Sequence, residues 1–312
     1  MNFRQRLNSV SPQRETVITI GVFDGVHRGH SHLLQHLKAA AGSEYQPMVL
    51  TFANHPVTVL QPGRQVSLIT TLDRKEELIR QQGIEQIISL DFTEELAQLS
   101  AGDFVTLLVE NLRMKGLVIG SDFALGRNRE GNTERLSELG REMDFSVEVV
   151  EPLLLDGLLV KSRVIRQKLT EGEVSVSNQL LGRTFSMSGE VITGDRRGRT
   201  LGFPTANVDV SKTMAHPADG IYATWALVDG VRLPSATSIG VRPTFGLSDR
   251  LVEVYILDFE GDLYGRELEV EFVDKLRDQE TFSSLDALVE QINRDVANTR
   301  DALAISGGAN GH

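Results

Sequence analysis

The chain of 312 residues contains no cysteine. That absence removes disulfides, cysteine-ligated zinc, iron–sulfur clusters and thiol nucleophiles together, and it fits a reducing compartment. An excess of positive charge is also missing. Lys and Arg number 32 against 43 Asp and Glu, a formal balance of −11, so the chain is not built to coat nucleic acid or an anionic membrane. No stretch approaches the ~18 apolar residues of a membrane span. The apolar run around Leu153–Val160 is broken by Asp156 and Gly157. The opening MNFRQRLNSVSPQRE has no apolar h-region of a secretory signal. The expectation is a cytoplasmic protein without nucleic-acid or membrane partners, its oligomeric state open. Its length suits two domains, either of which can bury a core unaided.

The first half alternates strand and helix patterns. Thr16–Val22, Pro47–Phe52, Ile84–Leu90, Gly116–Gly120 and Phe145–Val150 read as strands. Leu33, Leu34, Leu37 and Ala41 recur at helical spacing before Gly42. Asp73 with Glu76 suggests a capping box for a helix through Gln82, and Ser100 with Asp103 another through Lys115. A further helix falls near Glu134–Glu142. Repeated strand–helix–strand predicts a doubly wound α/β domain with a parallel sheet, and ligands then bind at the carboxyl ends of the strands. The character changes after Gly182. Ile221–Val228, Val252–Phe259 and Glu267–Val273 read as short strands among many glycines and prolines, which predicts an antiparallel barrel or sandwich. Ser283 and Asp286 open one last helix. The expected domains are therefore 1–182 and 183–312.

Two constellations carry chemistry. The first is GVFDGVHRGH after the first strand, with Gly21, Gly25, His27, Gly29 and His30. Five of the 7 histidines lie between His27 and His55. Two histidines three apart at a helix start can both face one anion, where unpaired N–H groups and the helix dipole also favour negative charge. Imidazoles there can donate to a leaving phosphate. Gly29 leaves room for a phosphate at the backbone. The other reading is a histidine metal site on His27, His30 and His55, but no HExxH and no cysteine complete it. The second constellation is SGEVITGDRRGRTLGFPTAN. It sets Gly189, Gly194, Gly198 and Gly202 beside Arg196, Arg197 and Arg199 in an otherwise acidic half. Glycines let successive N–H groups cradle phosphates. Thr205 and Asn207, two apart on an extended segment, face one side and are hard oxygen ligands suited to Mg²⁺. No Walker A loop is present.

GVFDGVHRGHSHLL resembles the signature of HxGH nucleotidyltransferases. TFANHP and GSDFALGRNREGN are similar to the flavin-side motifs of bacterial FMN adenylyltransferases. GRTLGFPTAN, DGIYA, SIGVRPTFG, EVYILDF and LYGRELEVEFVDKLRDQETF resemble riboflavin kinase. In that order they are similar to the bifunctional riboflavin kinase/FAD synthetase family over about residues 16–300. The resemblance implies a nucleotidyltransferase domain followed by a β-barrel kinase with a terminal helix. It implies ATP-dependent conversion of riboflavin to FMN, then adenylylation of FMN to FAD with release of pyrophosphate, and magnesium at both sites. It implies His27, His30 and Glu253 as catalytic residues, with Thr205 and Asn207 on the metal. ATP or its phosphates would meet Gly21, Gly29, Ser162, Arg166, Gly189, Gly194 and Arg199. Flavin would meet Phe52, His55, Pro56, Asp122, Phe123 and Arg277. One element departs: where the family carries SSTxIR, this chain has Lys161, Ser162, Arg163, Val164, Ile165 and Arg166. Lys161 and Arg163 thus replace hydroxyl residues. The alternatives are a kinase whose adenylyltransferase half is impaired there, and a flavin sensor without turnover.

Overall fold

The computed structural model describes residues 2–194, 201–241 and 250–308. The chain divides into two compact units, Met1–Ser162 and Arg163–His312.

The first unit is a five-stranded sheet in the order β3-β2-β1-β4-β5, every pair parallel. The strands are β1 (Thr16–Ile20), β2 (Gln46–Phe52), β3 (Gln86–Leu90), β4 (Met114–Gly120) and β5 (Ser146–Val150), and the short antiparallel pair β6 (Leu154–Leu155) and β7 (Leu158–Leu159) follows them. Alternate strand residues feed two separate cores, because successive side chains leave opposite faces. Ile18, Leu50, Ile88 and Ile119 meet Phe104, Leu108 and Leu136 on one face. Val17, Val49 and Val118 meet Leu34, Leu37 and Ile79 on the other. Those partners lie on α2 (Arg28–Ala41), α4 (Leu72–Gln81), α6 (Ala101–Leu112) and α7 (Thr133–Met143), beside the shorter α1 (Phe3–Asn8), α3 (Pro56–Leu60) and α5 (Glu94–Ala97). Helices thus cover both faces, as the run of strand and helix patterns predicts. The chain builds β1, β2 and β3 outward in one direction and then returns to the other side of β1 for β4 and β5. That reversal opens a crevice at the carboxyl ends of β1 and β4.

Helix starts differ in detail from expectation. Thr71, not Asp73, caps α4 by accepting from the Arg74 N–H. Ser100 caps α6 as predicted, yet that helix stops at Leu112, because Arg113 turns left-handed (φ 51°) to start β4. Helices α8 (Ser162–Thr170) and α9 (Val174–Leu181) escaped the sequence reading, and the division between units falls one residue into α8.

The second unit is a closed barrel in the order β10-β11-β12-β9-β8-β13. Its strands are β8 (Phe185–Ile192), β9 (Ala206–Val210), β10 (Gly220–Val228), β11 (Val231–Val241), β12 (Arg250–Ile256) and β13 (Glu267–Arg277). All these pairs are antiparallel, and β13 returns to β10, so among the described residues no edge is left open. Tyr222, Phe185 and Phe272 fill the core. The buried hydroxyls of Thr224, Ser235 and Thr237 satisfy one another at 2.7 and 2.8 Å. Asn178 of α9 ties the barrel by bonding the Phe272 carbonyl and the Phe185 N–H. The terminal helix, Leu285–Gly308, packs on β10, β11 and β13.

Candidate active sites

In the first unit His27, His30, Phe52, His55, Pro56, Asp122 and Phe123 all lie at or follow the carboxyl ends of β1, β2 and β4, while Arg166 lies in the second unit. β1 runs into the turn Gly21–His27, which is strained: Phe23 (φ 51°) and the β-branched Val26 (φ 36°) both take positive φ. Such backbone persists only where its surroundings over-determine it. The buried Asp24 carboxylate accepts the Ile69 and Thr70 N–H groups at 2.9 and 3.2 Å, and the Ser162 hydroxyl donates to the Asp24 carbonyl at 2.8 Å. His27 then caps α2. Its Nδ1 accepts the His30 N–H at 3.2 Å, while the His30 Nδ1 accepts the His27 N–H at 3.3 Å. The two rings stack at 3.6 Å. An Nδ1 that accepts a backbone N–H carries no proton, so in its neutral form each imidazole holds its proton on Nε2, as a donor. The backbone therefore sets the tautomer that an anion needs.

Gly29 serves this packing. A Cβ there would meet the Val160 carbonyl oxygen at 2.8 Å and the His27 ring at 3.1 Å, so its missing side chain makes room for protein atoms. His55 caps a short helix that begins at Pro56, accepting from the Val57 N–H at 3.2 Å. Phe52 packs edge-on against Phe92 at 5.3 Å. Beyond β4, Phe123 leans on the core. The following loop lies close on the start of α6, where a Cβ on Gly126 would meet the Ala101 nitrogen at 2.6 Å.

In the second unit the strand register does the assembling. β12 pairs with β9 so that Glu253 stands opposite Asn207, and with β11 so that Glu253 stands opposite Ser238. Directly opposed residues of an antiparallel pair share one face with Cβ atoms about 5 Å apart. Thr205, Asn207 and Glu253 accordingly line one cavity of ≈ 420 Å³, with Phe203, Tyr255 and Phe282 among its apolar walls. Asn207 is buried, and its amide occupies the space that a Cβ on Gly194 would need, 2.3 Å from its nitrogen. Gly189 lies within β8, where a Cβ would strike the Asp209 carbonyl at 2.2 Å. Arg199 lies outside the described residues. A second cavity of ≈ 550 Å³, which the sequence reading missed, runs along Val191, Phe259, Leu263 and Tyr264, and Thr205 lines both cavities. Its only sequence signal was the DFEGDLYG turn between two strands.

Residues 9–164 match the FAD synthetase family and residues 181–303 the riboflavin kinase family. The chain is 36% identical to the bifunctional riboflavin kinase/FMN adenylyltransferase of Escherichia coli K12, over 96% of each chain. It is 37% identical to that of Pseudomonas fluorescens, over 98% of this chain and 99% of the relative. The chain belongs to the bifunctional riboflavin kinase/FMN adenylyltransferase family. A solved Streptococcus pneumoniae protein named as a macrolide-efflux protein superposes with a TM-score of 0.88, at 30% identity over 94% of this chain and 96% of its own. Among the described residues here, no helix is long and apolar enough to cross a membrane.

Within this family frame two charged residues have defined neighbours. Lys161 donates to the Asp122 carboxylate at 2.5 Å, and this bond holds the Asp122 carboxyl below the usual carboxylate range. The departure from SSTxIR is thus paired with the loop after β4. Arg277 forks onto Asp295 of the terminal helix at 2.9 and 2.7 Å, and Gln291 supports the same carboxylate. Asp295 holds the guanidinium above its ordinary range. Both side chains are largely buried, 15% and 6% exposed, so the pair fixes one cavity wall to β13. Arg277→Leu leaves a buried carboxylate unpaired and is expected to lower stability by about 3 kcal/mol, read from urea unfolding of the barrel.

Proposed function

We propose that the second unit phosphorylates riboflavin with ATP, giving FMN and ADP, and that the first joins FMN to AMP from a second ATP, giving FAD and pyrophosphate. The observation that carries the reading is the register that sets Glu253 across from Asn207, with Thr205 at the wall shared by two cavities. The aromatic cavity suits an isoalloxazine ring and the second a nucleotide, so the ribityl hydroxyl and the terminal phosphate would meet near Thr205. Glu253 takes the hydroxyl proton as that oxygen bonds the γ-phosphorus and ADP leaves with the bridging oxygen. Thr205 and Asn207 are the residues that would hold magnesium. Their side-chain oxygens fit a hard cation that keeps its remaining positions for water and phosphate. Bound magnesium would neutralise charge on the phosphate oxygens.

In the first unit a phosphate oxygen of FMN attacks the α-phosphorus of ATP directly and pyrophosphate leaves. His27 and His30, with their Nε2 protons, donate to the triphosphate as its charge grows, and the α2 N-terminus adds its dipole. Ser162, whose hydroxyl bonds the Asp24 carbonyl, serves the same phosphates, while Phe52, His55, Pro56, Asp122 and Phe123 form the flavin side. Incubation of the chain with riboflavin and Mg-ATP tests both steps: FMN is expected first, then FAD, and chelation of magnesium stops both. FMN that never proceeds to FAD would instead identify a kinase alone.

A further inference from the structure

Lys75 has no part in either site as described, yet it is a charged side chain only 6% exposed. It sits in α4 within DRKEELIR, a segment that by composition is a solvated helix. Its Nζ donates to the Phe52 carbonyl at 2.6 Å and the Val22 carbonyl at 3.2 Å. Phe52 ends β2, and Val22 lies just past β1. The Thr51 hydroxyl reaches the same Val22 carbonyl at 3.1 Å. One ammonium thus joins two neighbouring strand ends, at the point where the histidine turn and the TFANHP turn leave the sheet.

The charged groups facing it are few. Asp24, from the histidine turn, and Glu76, on its own helix, favour the ammonium, and Glu76 is itself held by Arg80 and Ser89 at 2.8 and 2.6 Å. Burial outweighs them and pushes Lys75 down to about 8. A neutral donor could satisfy two carbonyls without that desolvation cost, which is why a buried ammonium at this point calls for a use of its charge. The strained turn it supports adds a second reason, because positive φ at Phe23 and Val26 needs an external frame.

We infer that Lys75 is a positioning residue for FMN adenylylation: its ammonium locks the two turns in mutual register and places fixed positive charge beneath the phosphate-binding face. The inference rests on the reading of His27 and His30 as the triphosphate donors. Charge-assisted bonds to the two carbonyls are shorter and stronger than those of a neutral amine, so deprotonation loosens the frame.

The test uses the full chain with FMN and Mg-ATP, following FAD. In the wild-type protein kcat/KM for FMN reports ionisations of the free enzyme and is expected to fall as pH rises through about 8, where the ammonium loses its proton. Lys75→Met is expected to lower kcat/KM for FMN about 10²-fold, the scale of a small misplacement of reacting groups, and to remove the alkaline fall. Riboflavin phosphorylation by the same protein stays unchanged. Because the chain has no other thiol, Lys75→Cys can be alkylated with bromoethylamine under denaturing conditions and refolded. This restores an amine of nearly the same length, made less basic by the thioether sulfur. Recovered activity with the alkaline fall moved to lower pH is the expected result, and it holds even if Lys75→Met folds poorly. Wild-type adenylylation by Lys75→Met, or recovery with no displacement of the fall, overturns the inference alone. Absence of FAD from the wild-type chain overturns it together with the site reading beneath it.

Discussion

His30→Ala is expected to stop FAD formation from supplied FMN while leaving riboflavin phosphorylation at its wild-type rate. Loss of one preorganised donor to a developing phosphate charge costs about 10²–10³ in rate. His30 adds a second effect, because its Nδ1 accepts the His27 N–H and its own N–H holds the His27 ring. Removing the His30 imidazole therefore takes this acceptor from the His27 N–H and the stacked partner, 3.6 Å away, from the His27 ring. His30→Asn separates the two contributions. A side-chain amide keeps an acceptor for the His27 N–H but brings no Nε2 proton, so helix capping is retained and FAD formation still fails. Chromatographic separation of FMN and FAD from one reaction reads both activities at once. Equal loss of both would sink the two-site reading.

Glu253→Gln is expected to do the reverse. It keeps the shape of the side chain between Asn207 and Ser238 but cannot take up a proton. Loss of a general base of this kind lowers the rate about 10²–10⁴-fold. Riboflavin should remain unphosphorylated while FMN supplied to the same protein still becomes FAD. Riboflavin binding, followed by quenching of its fluorescence, should persist because the aromatic walls of the cavity are untouched. If supplied FMN also went unconverted, Glu253 would not belong to the kinase site alone.

Much of the fold was legible because it rests on local chemistry. The β-branched run Thr16–Val22 marked β1, the apolar Pro47–Phe52 marked β2, and the stripe Leu33, Leu34, Leu37 and Ala41 marked α2 with its stop at Gly42. Motif residues could be placed at strand ends because a turn after a parallel strand must open at its carboxyl edge. Helix caps were less legible: Thr71 and Asp73 both suit a start, and only the backbone angles choose between them. The partners of Lys161 and Arg277 were not legible at all. Asp122 is 39 residues from Lys161, and Asp295 is 18 from Arg277. Nothing in either segment marks the other.

The sequence by itself determined the class of protein, the order of its two catalytic halves and the residue types of each candidate site, because composition excludes whole chemistries and the motifs are contiguous. Tertiary structure alone decided what those residues face. Sheet order made the crevice, strand register brought Glu253 to Asn207, and reciprocal backbone bonds fixed the histidine tautomers. Burial turned Lys75 from one charge among many into a clamp. Each of these depends on the distance and desolvation between segments far apart in the chain, which no local pattern of side chains encodes.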